Sequence, residues 1–182
     1  MKTNKVTITE ALADIKTIDK RIEKKQQFIS DYLWRQAALK DPLEKDGGCF
    51  VVLASELQAI TDLEEYKLKL RRAIQQVNDT TVIAISGQER TIADWLVWKR
   101  EVAPQMQQLY NTLAQKINQA RQTAQQKGYS ILTVENADAR PQDIVVHLNE
   151  KDIAEAREWY EEVLGNLDGQ LSLKNATTFV EL

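Results

Sequence analysis

The stretch that decides the fold is ITEALADIKTIDKRIEKKQQFISDYL, which runs from Ile8 to Leu33. Isoleucine recurs in it at intervals of seven, and further apolar residues fall three or four positions away. The repeating residues are Ile8, Ile15, Ile22 and Ile29. An apolar heptad is the seam of a coiled-coil helix. Because Thr7 and Glu10 also have the spacing of a capping box, the sequence predicts a first helix over residues 8–40.

A second heptad pattern follows a turn-rich linker over residues 41–48. The Asp41-Pro42 pair ends the first helix, since proline disfavours a helical conformation in the residue before it. The apolar residues of the second pattern are Leu53, Ile60, Leu63, Leu70, Ile74 and Val77. This pattern predicts a second helix over residues 53–78, which pairs antiparallel with the first.

The next segments alternate between extended and helical patterns. Residues 80–90 are rich in β-branched side chains around a Ser86-Gly87 turn signal, which predicts a β-rich tip. A third helix is predicted over residues 92–127, with a kink near Val102 because proline follows inside the pattern at Pro104. Its apolar stripe is Ile92, Leu96, Met106, Leu109, Leu113, Ile117, Ala120 and Ala124.

The last third of the chain is less regular at first. Residues 129–148 contain two short β-like runs separated by a loop over 136–142, and a final helix is predicted over residues 150–174. Helical spacing favours continuity through Gly165, whereas the low helix propensity of glycine favours a break there. Together these patterns predict a mainly α protein: a single helical domain over 1–182, built on long antiparallel coiled-coil helices in a bundle, with a minor β-hairpin or short strands.

Composition limits the kind of partner and compartment. The 182 residues carry 24 Lys and Arg against 27 Asp and Glu, a net charge of −3, which argues against a nucleic-acid surface. The N-terminal residues 1–10 lack an apolar signal-peptide core, and no apolar run is long enough to span a bilayer. The lone cysteine, Cys49, suits a reducing compartment. We therefore expect a cytoplasmic protein that does not enter membranes.

The residues that could carry chemistry are isolated. His147 is the sole histidine and lies in an alternating apolar run, so it lacks the partners that a triad or a zinc site needs. Cys49 follows a glycine pair and has Lys45 nearby, but it opens the apolar run 49–53, which favours burial. Phosphate-loop, dinucleotide and nucleophile-elbow motifs are absent from the sequence. We therefore expect a non-enzymatic protein with no catalytic residue, metal or cofactor.

Tryptophans mark the start of the third helix. Trp95 and Trp98 lie three residues apart with Val102 one turn further on, off the Ile92–Leu96 stripe, so the helix is apolar on more than one side. One interpretation is that these three residues pack against another protomer or a protein partner, as aromatic anchors do. The other is that they are buried under the segment 129–148.

The order of elements resembles the septicolysin-like family of bacterial and phage-encoded helical proteins. The similar stretches are Glu10–Ala13 with Lys20–Ile22, Asn78–Thr81 with Gly87 and Thr91–Ala93, and Leu167–Asp168 with Leu171, Asn175, Thr177–Thr178 and Glu181–Leu182. The resemblance implies a helical, oligomeric protein whose last helix continues through Gly165, and it carries over no site residue. We therefore expect an oligomeric structural or assembly protein, associated with phage or virion. The alternative, which the family name implies, is a pore-forming or membrane-active toxin.

Overall fold

Helices make up most of the chain, and the strands are short. The computed structural model describes residues 5–133 and 140–181. In chain order the elements are β1 (Lys5–Thr7), α1 (Ile8–Tyr32), a 3₁₀ turn (Glu44–Asp46), α2 (Cys49–Thr80), β2 (Val82–Ile85), β3 (Gln88–Thr91), α3 (Ile92–Val97), a π-turn (Trp98–Val102), α4 (Ala103–Lys127), β4 (Ile131–Thr133), β5 (Ile144–Val146), α5 (Glu150–Thr177) and β6 (Phe179–Glu181). The prediction of a mainly α fold with minor strands is confirmed. Where the sequence suggested one domain, the chain packs as two compact units, residues 1–80 with 172–182 and residues 81–171.

The first unit is an antiparallel pair of helices, α1 and α2. The isoleucine seam of α1 packs against the buried Leu70 and Ile74 of α2, and Ile8 and Ile15 are at most 2% exposed. The ion pairs Lys25–Glu56 at 2.6 Å and Lys67–Asp19 at 2.5 Å run in opposite order along the two helices, which fixes the antiparallel direction. The antiparallel pairing is therefore observed, while coiled-coil supercoiling stays a prediction.

Two short strands, β1 and β6, pair with each other in the first unit. The predicted capping box is present, because Glu10 N–H donates to the Thr7 hydroxyl and Thr7 N–H donates to the Glu10 carboxylate at 2.8 Å. β1 pairs antiparallel with β6, which puts Val6 opposite Val180. Val180 is fully buried in the same cluster as Ile8.

Both boundaries between α1 and α2 differ from the prediction. α1 ends at Tyr32 rather than Lys40, because the next seam position, Gln36, is polar and a longer helix would bury nothing more. α2 begins at Cys49 rather than Leu53, directly after Gly48, and continues to Thr80. The linker is therefore about twice as long as the sequence suggested, and it carries Trp34.

The second unit begins with the β-rich tip, which is a β2–β3 hairpin. Ile85 pairs with Gln88 across a two-residue turn in which Ser86 and Gly87 both have positive φ, at 46° and 79°. Such a turn matches the right-handed twist of the strands. The hairpin buries Ile83 and leaves the alternate residues of β2 exposed.

The predicted kink in the third helix is a π-turn. Pro104 has no N–H to give to the carbonyl four residues before it, so the local ladder must change. Ala103 N–H instead donates to the Trp98 carbonyl, five residues back, which is the π pattern. The predicted stripe is corrected around this turn: Leu96 is 41% exposed, while Trp95 and Trp98 are buried.

The final helix, α5, is continuous through Gly165 and Gly169 and ends at Thr177. It supplies Val163, Leu167 and Leu171 to the buried core of the second unit. β4 and β5 are the two predicted short strands, and they pair in parallel with Ile131 opposite Ile144. The loop expected over 136–142 lies mostly outside the described residues.

Candidate functional site

The structure places the predicted interface residues in two different environments. Trp95 and Trp98 are 0% and 3% exposed, whereas Val102 is 41% exposed. The Trp95 indole N–H donates to the Ile83 carbonyl at 3.0 Å, so its polar atom is satisfied inside the unit. The guanidinium of Arg90 lies 5.0 Å from the centre of the same ring.

An aromatic cluster surrounds Trp98. Its ring stacks on Tyr160 at 5.7 Å with planes 6° apart, and it meets Trp95 and Trp159 edge to face at 5.3 Å and 6.0 Å. Burial raises the pKa of the Tyr160 hydroxyl above its ordinary value. Aromatic pairs in this geometry add to stability beyond the area they bury. This cluster is therefore a packing core, built between α3, the π-turn and α5.

The burial of the two indoles bears on both interpretations of the tryptophans. The two indoles are covered within the chain, so a partner could reach them only if this core opened, and Val102 alone of the three lies at the surface. Within the described residues, the buried side chains that cluster with the indoles come from β2, α3, α4 and α5.

The two isolated candidates for chemistry have ordinary surroundings. His147 is exposed beside an apolar groove of about 250 Å³ lined by residues of α4 and β5. The Cys49 thiol donates to the Asp41 carboxylate at 2.9 Å, and this hydrogen bond raises the pKa of the thiol, with burial adding to the effect. In residues 5–133 and 140–181, no three His, Cys, Asp or Glu side chains are grouped as metal ligands.

An exposed apolar surface lies at the loop end of the α1–α2 pair. Its residues are Leu33, Trp34, Phe50, Leu53 and Leu57, and we call them the hairpin-end surface. Trp34 is 78% exposed, Phe50 88% and Leu33 67%. The same residues line a groove of about 430 Å³, together with Tyr32, Arg35, Cys49 and Ala54. Large exposed apolar side chains that adjoin one another mark interaction sites in many proteins.

Asp41 holds the loop that carries this surface. Its carboxylate accepts hydrogen bonds from Leu43 N–H and Cys49 N–H, both at 2.9 Å, as well as from the Cys49 thiol. The pKa of Asp41 is lowered, first by the thiol and then by the two backbone amides. Gly47 and Gly48, with φ of +100° and +92°, allow the tight turn into α2. The loop is thus tied to the first turn of α2.

Sequence reasoning missed the hairpin-end surface, although a signal was present. The run 49–53 is apolar at five consecutive positions, which favours burial of Cys49. Five consecutive residues of a helix cover more than one full turn, so they point to all sides and cannot all face one neighbouring helix. Phe50 and Val51, at 88% and 56% exposed, are the residues left outside. Trp34 gave no signal because the first helix was extended past it.

The comparisons with known proteins support the fold. No family model matches the chain, and no curated protein matches it. A crystal structure described as a functionally unknown conserved protein from Corynebacterium diphtheriae is similar, with a TM-score of 0.55 and 18% identity over 97% of this chain and 99% of that one. At this identity the likeness shows the fold alone. Within the described ranges, no helix combines the length and apolarity needed to cross a bilayer.

Proposed function

We propose that this protein is a non-enzymatic structural or assembly protein that acts as an oligomer. The observation that carries the proposal is that large apolar side chains are exposed in both units. Phe50 and Leu57 are 88% and 56% exposed in the first unit, and Leu96 and Val97 are 41% and 45% exposed in the second. Large exposed apolar patches mark protein–protein interaction sites in many soluble proteins.

Helix α4 supports the same proposal. It spans 25 residues, of which only Ala103 and Ala124 are buried. Leu109 is 47% exposed, although it lies on the apolar stripe. An amphipathic helix is stabilised mainly by packing its apolar face, so a face this poorly covered is typical of a protein that packs against another chain.

The raised pKa of the Cys49 thiol supports the non-enzymatic part of the proposal. The thiolate is the nucleophilic form of cysteine, and a hydrogen bond to a carboxylate disfavours it. The hydrogen bond to Asp41 therefore does not activate the Cys49 thiol as a nucleophile.

The mass of the purified protein in solution tests the proposal. Light scattering on a sizing column should give a defined multiple of 20.8 kDa that persists at high salt, because the exposed surfaces are mainly apolar. A mass of one chain at every protein concentration would contradict the proposal.

Association with phage or virion, and the alternative of a membrane-active toxin, come from the family resemblance. Dye release from liposomes at neutral pH would reveal the toxin activity. Release that increased with protein concentration would replace the assembly proposal, whereas an oligomer that leaves liposomes intact would support it.

A further inference from the structure

We infer that the hairpin-end surface binds the same surface of a second copy of this chain, forming a two-fold symmetric interface. The inference rests on the proposed oligomeric function and names the surface that performs it. An interface about a two-fold axis brings one patch onto itself, so that patch must be complementary to its own shape.

The hairpin-end surface contains both halves of such a contact. Phe50 and Trp34 project into solvent at 88% and 78% exposure. Beside them lies the groove of about 430 Å³, with walls formed by the apolar side chains of Leu33, Leu53 and Leu57. Pockets that hold small organic groups start at about 300 Å³, so the groove can admit an aromatic side chain from a second copy.

The area of the surface fits a dimer contact. From the exposed fractions, and taking aromatic side chains as about 150–250 Å² each, the two aromatics and the leucines offer roughly 450 Å² of apolar surface. A standard interface covers about 800 Å² per partner, and its core is about 65% apolar, which corresponds to about 500 Å². The apolar centre is therefore present, and the polar residues around it supply the rim.

Charge also favours a second copy over a charged partner. Among the residues that the structure describes, Arg35 is the one ionic side chain that lines the groove. Its guanidinium donates to the Leu39 carbonyl at 2.7 Å and to the Gln36 carbonyl at 3.3 Å, so it is engaged within its own loop. The groove consequently favours a partner with a complementary shape and an apolar surface. The same surface on a second copy offers Trp34 and Phe50, which are aromatic residues of the kind that anchor interfaces.

The loop that carries the surface is already ordered, which lowers the entropic cost of association. The Asp41 carboxylate binds the first backbone amide of α2 and the amide of Leu43, and Gly48 N–H donates to the Leu43 carbonyl at 2.9 Å. Trp34 and Phe50 are thus presented from the two ends of a linker that is closed on itself.

Phe50→Glu tests the inference, with Leu68→Glu as the matched control. Both residues are exposed apolar residues of α2, at 88% and 50%, and they lie about 27 Å apart along the helix. Burying an unpaired carboxylate at the centre of the contact should raise the dissociation constant at least about 100-fold. Sedimentation velocity over a dilution series should show that Phe50→Glu lowers the mass by half or more and that Leu68→Glu retains it.

A second variant, Trp34→Glu, changes the same surface at the other end of the loop. Circular dichroism checks that each variant is folded. If the unsubstituted chain is an oligomer and both Phe50→Glu and Trp34→Glu remain oligomers, the hairpin-end surface is not the interface, although the proposed function stands. If the unsubstituted chain is a monomer at every concentration, both ideas fail. A monomer that floats with neutral phospholipid vesicles through Trp34 would assign the surface to a membrane and overturn the inference.

Discussion

Replacing the two glycines of α5 by alanine should stabilise the protein. Gly165 and Gly169 lie in the interior of a 28-residue helix, and both are exposed. A Cβ at either position would meet no heavy atom within 4 Å, and neither glycine has a positive φ. Alanine therefore gains the difference in helix propensity, about 0.8–1.0 kcal/mol per position, without steric cost. The double variant should gain about 1.5–2 kcal/mol in free energy of unfolding, which is the sum of the two propensity differences.

Urea unfolding followed by far-UV circular dichroism measures this gain. The midpoint should rise while the dependence of the unfolding free energy on urea stays the same. Gly128→Ala is the matched control, because Gly128 ends α4 with φ of +68°. The same substitution there forces an alanine into the left-handed region and should lower stability by about 1–2 kcal/mol.

The sign of the result decides whether α5 is one helix. A gain at Gly165 and Gly169 with a loss at Gly128 is what a continuous helix predicts. Lower stability on replacing Gly165 would refute the continuous helix, because it would mean a break that needs glycine. If the alanine variants lost the oligomer while the monomer kept its stability, the space around the two glycines would not be open, because the backbone of another chain would approach them closely.

Three further results should follow. Leu167→Ala should lower the free energy of unfolding by about 2–5 kcal/mol, whereas the exposed Leu173→Ala in the same helix should change it by less than about 0.5 kcal/mol; equal effects in urea unfolding would contradict the assigned core. Asp41→Asn should lower the apparent pKa of Cys49 in a pH profile of alkylation rate, and an unchanged profile would deny the role of the hydrogen bond. Because the pKa of Asp41 is lower in the folded state, its contribution to stability is present above about pH 4 and is lost as pH falls through the folded pKa. The urea concentration at the unfolding midpoint should therefore decrease when the pH is lowered from about 6 to about 3, and it should decrease less in Asp41→Asn.

The periodic parts of the fold could be predicted from sequence because a single helix face decides them. The heptad of isoleucines in α1 predicts the first helix and the face that packs against α2, and the capping box predicts its first residue. The Ser86-Gly87 turn and the effect of Pro104 are likewise local, and both are present in the structure. Local chemistry was enough wherever the neighbouring residues in the chain were also the physical neighbours.

The residues that cover the tryptophans could not be predicted in this way. Trp98 is covered by Tyr160 and Trp159, about sixty residues later in the chain, and no periodicity within α3 announces that contact. The prediction of where α1 ends was wrong for a related reason. The proline at 42 marks where a helix must have ended, but the loss of apolar seam residues after Leu33 ends it earlier.

Trp34, Trp95 and Trp98 show why exposure, rather than residue type, is the better guide to a candidate interaction surface. Trp95 and Trp98 stabilise the folded monomer because folding removes them from water. Trp34, 78% exposed, is almost as accessible in the folded chain as in the unfolded one, so folding recovers little of its apolar free energy. A side chain in that position can contribute its apolar area only when something outside its own unit covers it. Phe50, 88% exposed, lies at the other end of the loop beside the same groove, and this is why we propose that a second chain binds there.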